Sequence, residues 1–496
     1  MKTTRFLYTV LLTGLLAVGT GCSKILDKQP VTSTVRTQGD SSITAAEAES
    51  LVSGIYLYYK KEALEFTVFD RITNGDVLAD NNYAGGDNTA NITLDNFRFN
   101  SLNGNLNRDW QRAYELIGRA NIAIDQIQAT NDPALTAARR SQMLAELRFF
   151  RAFTYFDIVR LFGKVPLILK RPDESTSETL LQSTIVPRSS VDSVYTAILQ
   201  DLWYVKANAR NTANTPNKYT VSKGAANAAL AKVYASMPAP KWDSVKYYCN
   251  QTIPDYALVG DYNFLWDNNH KNNSEAIWEI NFFGYGGADA VGNWVPSIFV
   301  GGSIGNYEGG GWKKFSTPTN DLVNLFTAEN DNIRLNASIK FLDITGQFTD
   351  VNWPANRYPF LVKYNDPQTG LNDLYIIRLP DILLLKAEAL VKEGDFGGAM
   401  TIVTSIRGRV NLGPKSANNA ADAEAIIANE RRLELAFEGH RWFDLVRTGK
   451  AVEVMNAQKG LNNAPLNYNV QPYRTIMPVP QQQIDLNPAL DQNPEY

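Results

Sequence analysis

A helical period that keeps returning along the chain constrains the fold more than any other feature. Residues 45–64, 108–127 and 135–166 carry apolar side chains at three- and four-residue spacing, until Gly163 and Pro166 stop the last run. The period resumes over 190–209, 222–237 and 242–253, with Pro238 and Pro240 between the last two. An amphipathic helix must bury its apolar stripe against a neighbour, so short breaks between such helices predict helices stacked in pairs. The clearest pair is 379–410, where Gly394, Asp395 and Phe396 separate two runs. Ala387, Phe396 and Ala399 stand where two helices approach closely. The expected fold class is mainly α, a tetratricopeptide-like helical-repeat (alpha-solenoid) body.

Two zones break the period. Residues 69–100 and 254–375 are rich in Gly, Asn and aromatics, with short strands predicted at AIWEINFF and YIIRL. A helical frame with loop-rich insertions places ligand contacts in the irregular chain. The net charge is -3, which leaves no electrostatic case for nucleic acid. The aromatics of the two zones, Tyr83, Tyr285, Trp294, Tyr307 and Trp312, are instead candidates for stacking on the C–H face of a sugar ring. Asp80, Asn81, Arg98, Asn293 and Lys313 are the candidate partners for its hydroxyls.

Residues 429–447, NERRLELAFEGHRWFDLVR, concentrate charge over about five helical turns. Glu430, Glu434 and Glu438 recur every four residues and are expected to form one acidic stripe, paired with Arg431, Arg432, Arg441 or Arg447. Leu433, Phe437, Trp442 and Phe443 are expected to pack, and Asp444 completes the charged set. Carboxylates that project from one face do not flank a glycosidic bond from both sides, so the stretch reads as architecture, with no catalytic residues. His270 and His440 lack further ligands at metal spacing, so no His or Cys metal site is expected. No cofactor is expected, although Asp76, Asp80 and Asp331 leave carboxylate-bound calcium open.

The N-terminus has Lys2 and Arg5 before an apolar run from Phe6 to Val18, then small residues up to Cys22. Residues 1–21 read as an export signal, 22–40 as a polar tether and 41–496 as a single body, with a C-terminal helical region over 379–447. Its GTGC ending resembles the lipobox of bacterial lipoproteins, with Gly19 where Leu or Val is usual; that resemblance implies lipidation at Cys22. Cys249 would then be the sole thiol, without a disulfide partner.

LRFFRAFTYFDIVRLFGKVPLI, YTVSKGAANAALAKVYAS, ERRLELAFEGHRWFDLVR and IMPVPQQQIDLNPALDQNPEY, in that order, resemble the SusD/RagB family of outer-membrane lipoproteins. The resemblance runs from Cys22 to Tyr496. It implies four tetratricopeptide-like helix pairs and a variable region that binds nutrient, most often glycan, without turnover. It also implies a lipid anchor in the outer membrane, exposure at the cell surface, and a SusC-like TonB-dependent barrel as partner. Capture of a peptide or other non-glycan nutrient is the alternative, and a secreted glycoside hydrolase is the third reading.

Overall fold

In the computed structural model, the described residues are 43–212, 217–287, 289–299, 313–364, 366 and 368–496. The signal segment, Cys22, the tether, Tyr307 and Trp312 lie outside them.

Helices form where the period predicts them, and several begin at a side chain that accepts a backbone N–H. Thr44 opens α1 (Ala45–Lys60) with a capping box closed by Glu47. Asn103, Thr136, Ser190 and Ser222 cap α2 (Gly104–Ala129), α3 (Ala137–Phe162), α4 (Val191–Asn208) and α5 (Lys223–Ser236). After α6 (Trp242–Thr252) comes the C-terminal set, α7 (Leu379–Lys392), α8 (Phe396–Arg409), α9 (Ala420–Glu434) and α10 (Arg441–Arg447). Successive helices are neighbours: α2 packs on α3, α3 on α4, α4 on α5, α5 on α6, α6 on α7 and α7 on α8 and α9. This is the tetratricopeptide-like arrangement.

The inner half of α3 is buried on nearly every side, and Phe149, Phe150 and Phe153 surround Trp278 at ring distances of 4.8, 5.7 and 5.2 Å. Trp278 belongs to β4 (Ala276–Ile280), which pairs antiparallel with β8 (Leu374–Arg378). Both strands are buried throughout, which explains their continuous apolar texture. The remaining ladders are short: β1 (Asn82–Tyr83) with β5 (Thr317–Pro318), β2 (Val165–Pro166) with β3 (Arg188–Ser189), and β6 (Ile339–Leu342) with β7 (Tyr358–Leu361). Ile43–Tyr496 forms one compact unit. No helix among the described residues is long and apolar enough to cross a membrane.

Two expectations need correction. The zone 69–100 is not loop throughout: wide π turns at Glu65–Phe69 and Thr73–Val77 flank a helical turn at Asp70–Ile72, and Thr89–Asp95 is helical. The charged stretch 429–447 is not one helix. It breaks after Glu434 because Phe437 and Gly439 adopt φ of 67° and 77°, which a right-handed helix cannot contain. Gly439 is also pressed against the backbone of Gly75, and a Cβ on Gly75 would lie 2.2 Å from its carbonyl carbon.

Candidate functional site

The break after Glu434 frees carbonyls that a continuing helix would have used, and buried cations take them. Arg378 donates to the Glu434 carbonyl at 2.5 Å, Lys363 to the Ala436 carbonyl at 2.7 Å, and the Tyr364 hydroxyl to the Phe437 carbonyl at 2.9 Å. The glutamates converge on the same cations. Glu434 pairs with Arg334 at 2.9 Å, with Arg378 at 2.5 Å and with Arg409; Glu438 pairs with Arg378 and Lys363, both at 2.6 Å; Glu430 pairs with Arg334 at 2.7 Å and Arg407 at 3.2 Å. The expected pairing with Arg431, Arg432, Arg441 or Arg447 is therefore corrected. Those arginines leave the other side of the chain: Arg431 and Arg447 hold Asp444 at 3.0 and 2.8 Å, and Arg441 and Arg432 hold Asp80 at 2.7 and 3.1 Å.

Burial raises a carboxylic acid, yet Arg409, Arg378 and Arg334 together hold Glu434 well below the usual carboxylate range. Desolvation, reinforced by Lys232, pushes the His440 imidazole down to about 3, so it stays neutral near pH 7 and does not serve as an imidazolium acid. Trp442 packs against Phe97 at 5.6 Å. These residues lock distant segments together and present no open carboxylate pair.

The two irregular zones meet. Beyond the β1–β5 pairing, Gly85 N–H donates to the Lys314 carbonyl at 2.8 Å, and Phe69 packs on Trp294, Phe299 and Phe315 at 5.5, 5.9 and 5.9 Å. This seam carries the candidate binding surface, and it sorts the expected contacts. Asp80 is buried; desolvation raises its carboxyl, but Arg432 and Arg441 outweigh that and bring it down to about 2. Asn81 is buried between Asp76 and Arg432, at 2.8 and 3.0 Å. The Tyr83 ring is buried and its hydroxyl donates to Asp350 at 2.9 Å. Asn293 is buried, donating from Nδ2 to the Asn372 carbonyl at 3.1 Å. The expectation of exposed sugar contacts is thus corrected for these four residues, because ion pairs and internal hydrogen bonds engage their polar atoms.

Trp294 is half-buried, with Phe69 against it. Lys313 is exposed and reaches Asp87 at 3.3 Å, and Arg98 is exposed. Tyr285 is 48% exposed and has a built seat. Its ring lies against the backbones of Gly292 and Gly370, where a Cβ would come within 2.5 and 3.0 Å of ring carbons. The seat is held by Tyr285 N–H to the Thr369 carbonyl at 3.2 Å and Asn293 N–H to the Gly370 carbonyl at 2.9 Å. Asp366 tightens the same loop by accepting the N–H groups of Thr369 and Leu371, both at 2.9 Å.

Sequence reasoning missed Phe283. It is 46% exposed, two residues before Tyr285, with the Lys60 ammonium 4.8 Å from its ring. It also missed a recess of about 450 Å³ lined by Asn320, Asn324, Asn462 and Asn463 with Asp321 and Lys459. The Asn-Asn pair at 462–463, which adopts φ of 55° and 60°, was the available signal. The calcium candidates do not converge: Asp76 accepts the Gly439 N–H at 2.6 Å, Asp331 holds Arg334, and Asp80 is paired as above. No group of three or more His, Cys, Asp or Glu among the described residues is placed to hold a metal.

The family described as SusD matches residues 352–496, and one described as starch-binding associating with outer membrane matches residues 26–235. SusD-like protein P38 of Formosa agariphila is 30% identical over 441 residues, covering 78% of this chain and 79% of that protein. The chain belongs to the SusD family. SusD-like protein P2 of the same organism is 26% identical and is covered along its whole length, as is this chain. Among solved structures, a protein named as a laminarin-binding SusD-like protein superposes with a TM-score of 0.74 at 25% identity, covering 91% of this chain and all of that one. A SusD homolog from Bacteroides thetaiotaomicron reaches a TM-score of 0.79 at 20% identity over 93% of this chain and 99% of its own, which supports the fold.

Proposed function

We propose that this SusD-family chain is a glycan-capture protein that binds its ligand at the Tyr285 seat without turnover. The observation that carries the reading is the Tyr285 ring, half-exposed on two glycine backbones of the second irregular zone. A ring held this way loses little freedom on binding and offers a flat apolar face to a pyranose. Phe283, two residues before Tyr285, is a second exposed ring, and Trp294 and Lys313 follow in the same zone. The starch and laminarin in the descriptions of the family and of one solved neighbour agree with such a ligand. Affinity electrophoresis of the purified protein in gels with laminarin, starch or a non-glucan polysaccharide tests this. Retardation in at least one gel with no released sugar is expected; no retardation across the panel, or product formation, overturns it.

In this reading Cys22 carries the lipid that anchors the protein to the outer membrane, facing outward, and the captured glycan passes to a SusC-like TonB-dependent barrel. Two or more acyl chains give stable attachment. Cys22→Ala is expected to leave the membrane fraction, and retention there overturns the anchor. Co-purification of a barrel protein with the tagged wild type is the matching test of the partner.

A further inference from the structure

Cations in this body are usually spent on carboxylates, and Arg210 is not. It follows the end of α4, makes neither hydrogen bond nor ion pair among the described side chains, and its Nε is shut off from solvent without an acceptor. Its carbonyl accepts the N–H of Lys223 at 2.9 Å, which fixes Arg210 beside the first residue of α5. Lys223 is likewise without an ion pair among the described residues, and both residues are half-buried. They line a recess of about 470 Å³ whose other polar lining includes Ser141, Gln142 and Asn208, with no carboxylate among the described residues of its wall. Glu49 lies near enough to feel Arg210, and both of its oxygens are taken by Arg139 at 2.7 Å.

An unpaired guanidinium beside an ammonium, in a concave wall with hydroxyl and amide groups, suits an oxyanion. The amino end of α5 adds a small positive potential from its backbone dipoles. We propose that this recess binds an oxyanion, the carboxylate or sulfate of an acidic sugar or a free inorganic anion, through Arg210 and Lys223. The site is distinct from the Tyr285 seat and does not depend on it. The guanidinium would hold two oxygens with its fork, the ammonium a third, and Gln142 would bond a neighbouring hydroxyl.

The test is calorimetric titration of the full-length protein with sodium sulfate and with sodium glucuronate, at ionic strength held constant with sodium chloride. Saturable binding of at least one anion is expected. Arg210→Gln should weaken it roughly ten- to a hundredfold, the range for hydrogen bonds to a charged group, with Lys223→Gln acting in the same direction. Preference for glucuronate assigns the site to acidic sugars, whereas equal or better binding of sulfate assigns it to inorganic anions. Phe283→Ala with Tyr285→Ala should leave the titration unchanged, which separates this site from glycan capture. The proposal is overturned if neither anion binds above the chloride background, or if binding survives Lys223→Gln together with Arg210→Gln or, should that variant not fold, Arg210→Lys.

Discussion

The turn after Glu434 and the seat under Tyr285 lie in one body and use their side chains in opposite ways. At the turn, charge is gathered inside, and every glutamate of the 430–438 series meets two or more cations from elsewhere in the chain. At the seat, the ring that matters is nearly uncoupled from charge and stands half in water on glycine. The contrast shows why a dense charged motif is a poor guide to a binding site. Buried carboxylates paired on several sides are too well satisfied to meet a ligand, whereas an exposed ring on a rigid backbone has one unsatisfied face.

Breaking the turn gives the largest effect. Glu434→Ala strands Arg334, Arg378 and Arg409, and removal of one partner from a buried pair costs on the order of 3 to 5 kcal/mol. Thermal unfolding should shift down by several degrees, while the folded fraction keeps its retardation in a polysaccharide gel. Because the Glu434 carboxylate lies well below its usual range, its contribution is complete above the unfolded-chain value of about 4.3 and fades as pH falls below it. The variant should therefore show a flatter loss of stability in acid. Asp80→Asn sharpens the comparison, since Asp80 sits in the first irregular zone but pairs with Arg432 and Arg441. A lower melting temperature with intact glycan binding is expected; lost binding with an unchanged melting temperature would return Asp80 to the ligand surface.

Helices were legible because the apolar period is local to each run and many runs carry their own capping residue or stop signal, as at Thr136 and Gly163. The pairing of β4 with β8 was not, although both strands were, because nothing local sets a register between segments about a hundred residues apart. Ion partners were the least legible. Arg334, Arg378 and Arg409 lie 100, 56 and 25 residues from Glu434, and Asp80 lies 361 residues from Arg441. Asp80 and Asn81 sit in Asn- and Gly-rich text that reads as exposed loop, and only the distant arginines draw them inside. Tyr285 was picked out for its texture, whereas Phe283 looked like the end of a strand that in fact stops at Ile280.

A smaller effect comes from Glu279, on β4 beside the seat-bearing loop. Burial, then the nearby Asp373 carboxylate, raises its acid to about 8. The folded protein thus keeps a proton that the unfolded chain releases above about 4.3, so stability is lost as pH rises from there to about 8. Glu279→Gln removes that liability. Its melting temperature relative to wild type should climb steadily between pH 5 and pH 8.5. A constant offset across that range would show that the carboxyl is ionised throughout.

The smallest effect on stability, and the most informative for function, belongs to the seat. Tyr285→Ala removes a half-exposed ring whose loss opens no cavity in the core, so the melting curve should move by no more than about 0.5 kcal/mol equivalent. Stacking contributes roughly 0.5 to 1.5 kcal/mol beyond buried area, so binding of the retarding polysaccharide should weaken by about two- to thirteenfold. Phe283→Ala should add a further loss if the ligand spans both rings, and none if it rests on Tyr285 alone. Gly292→Ala gives an independent check, because its Cβ would meet the Tyr285 ring at 2.5 Å and push it from its seat without removing an aromatic. Weakened binding in that variant would show that the orientation of the ring, as well as its presence, is what the glycan reads. Full binding in Tyr285→Ala would move the platform off this seat and leave the amide-lined recess around Asn462 as the next surface to alter.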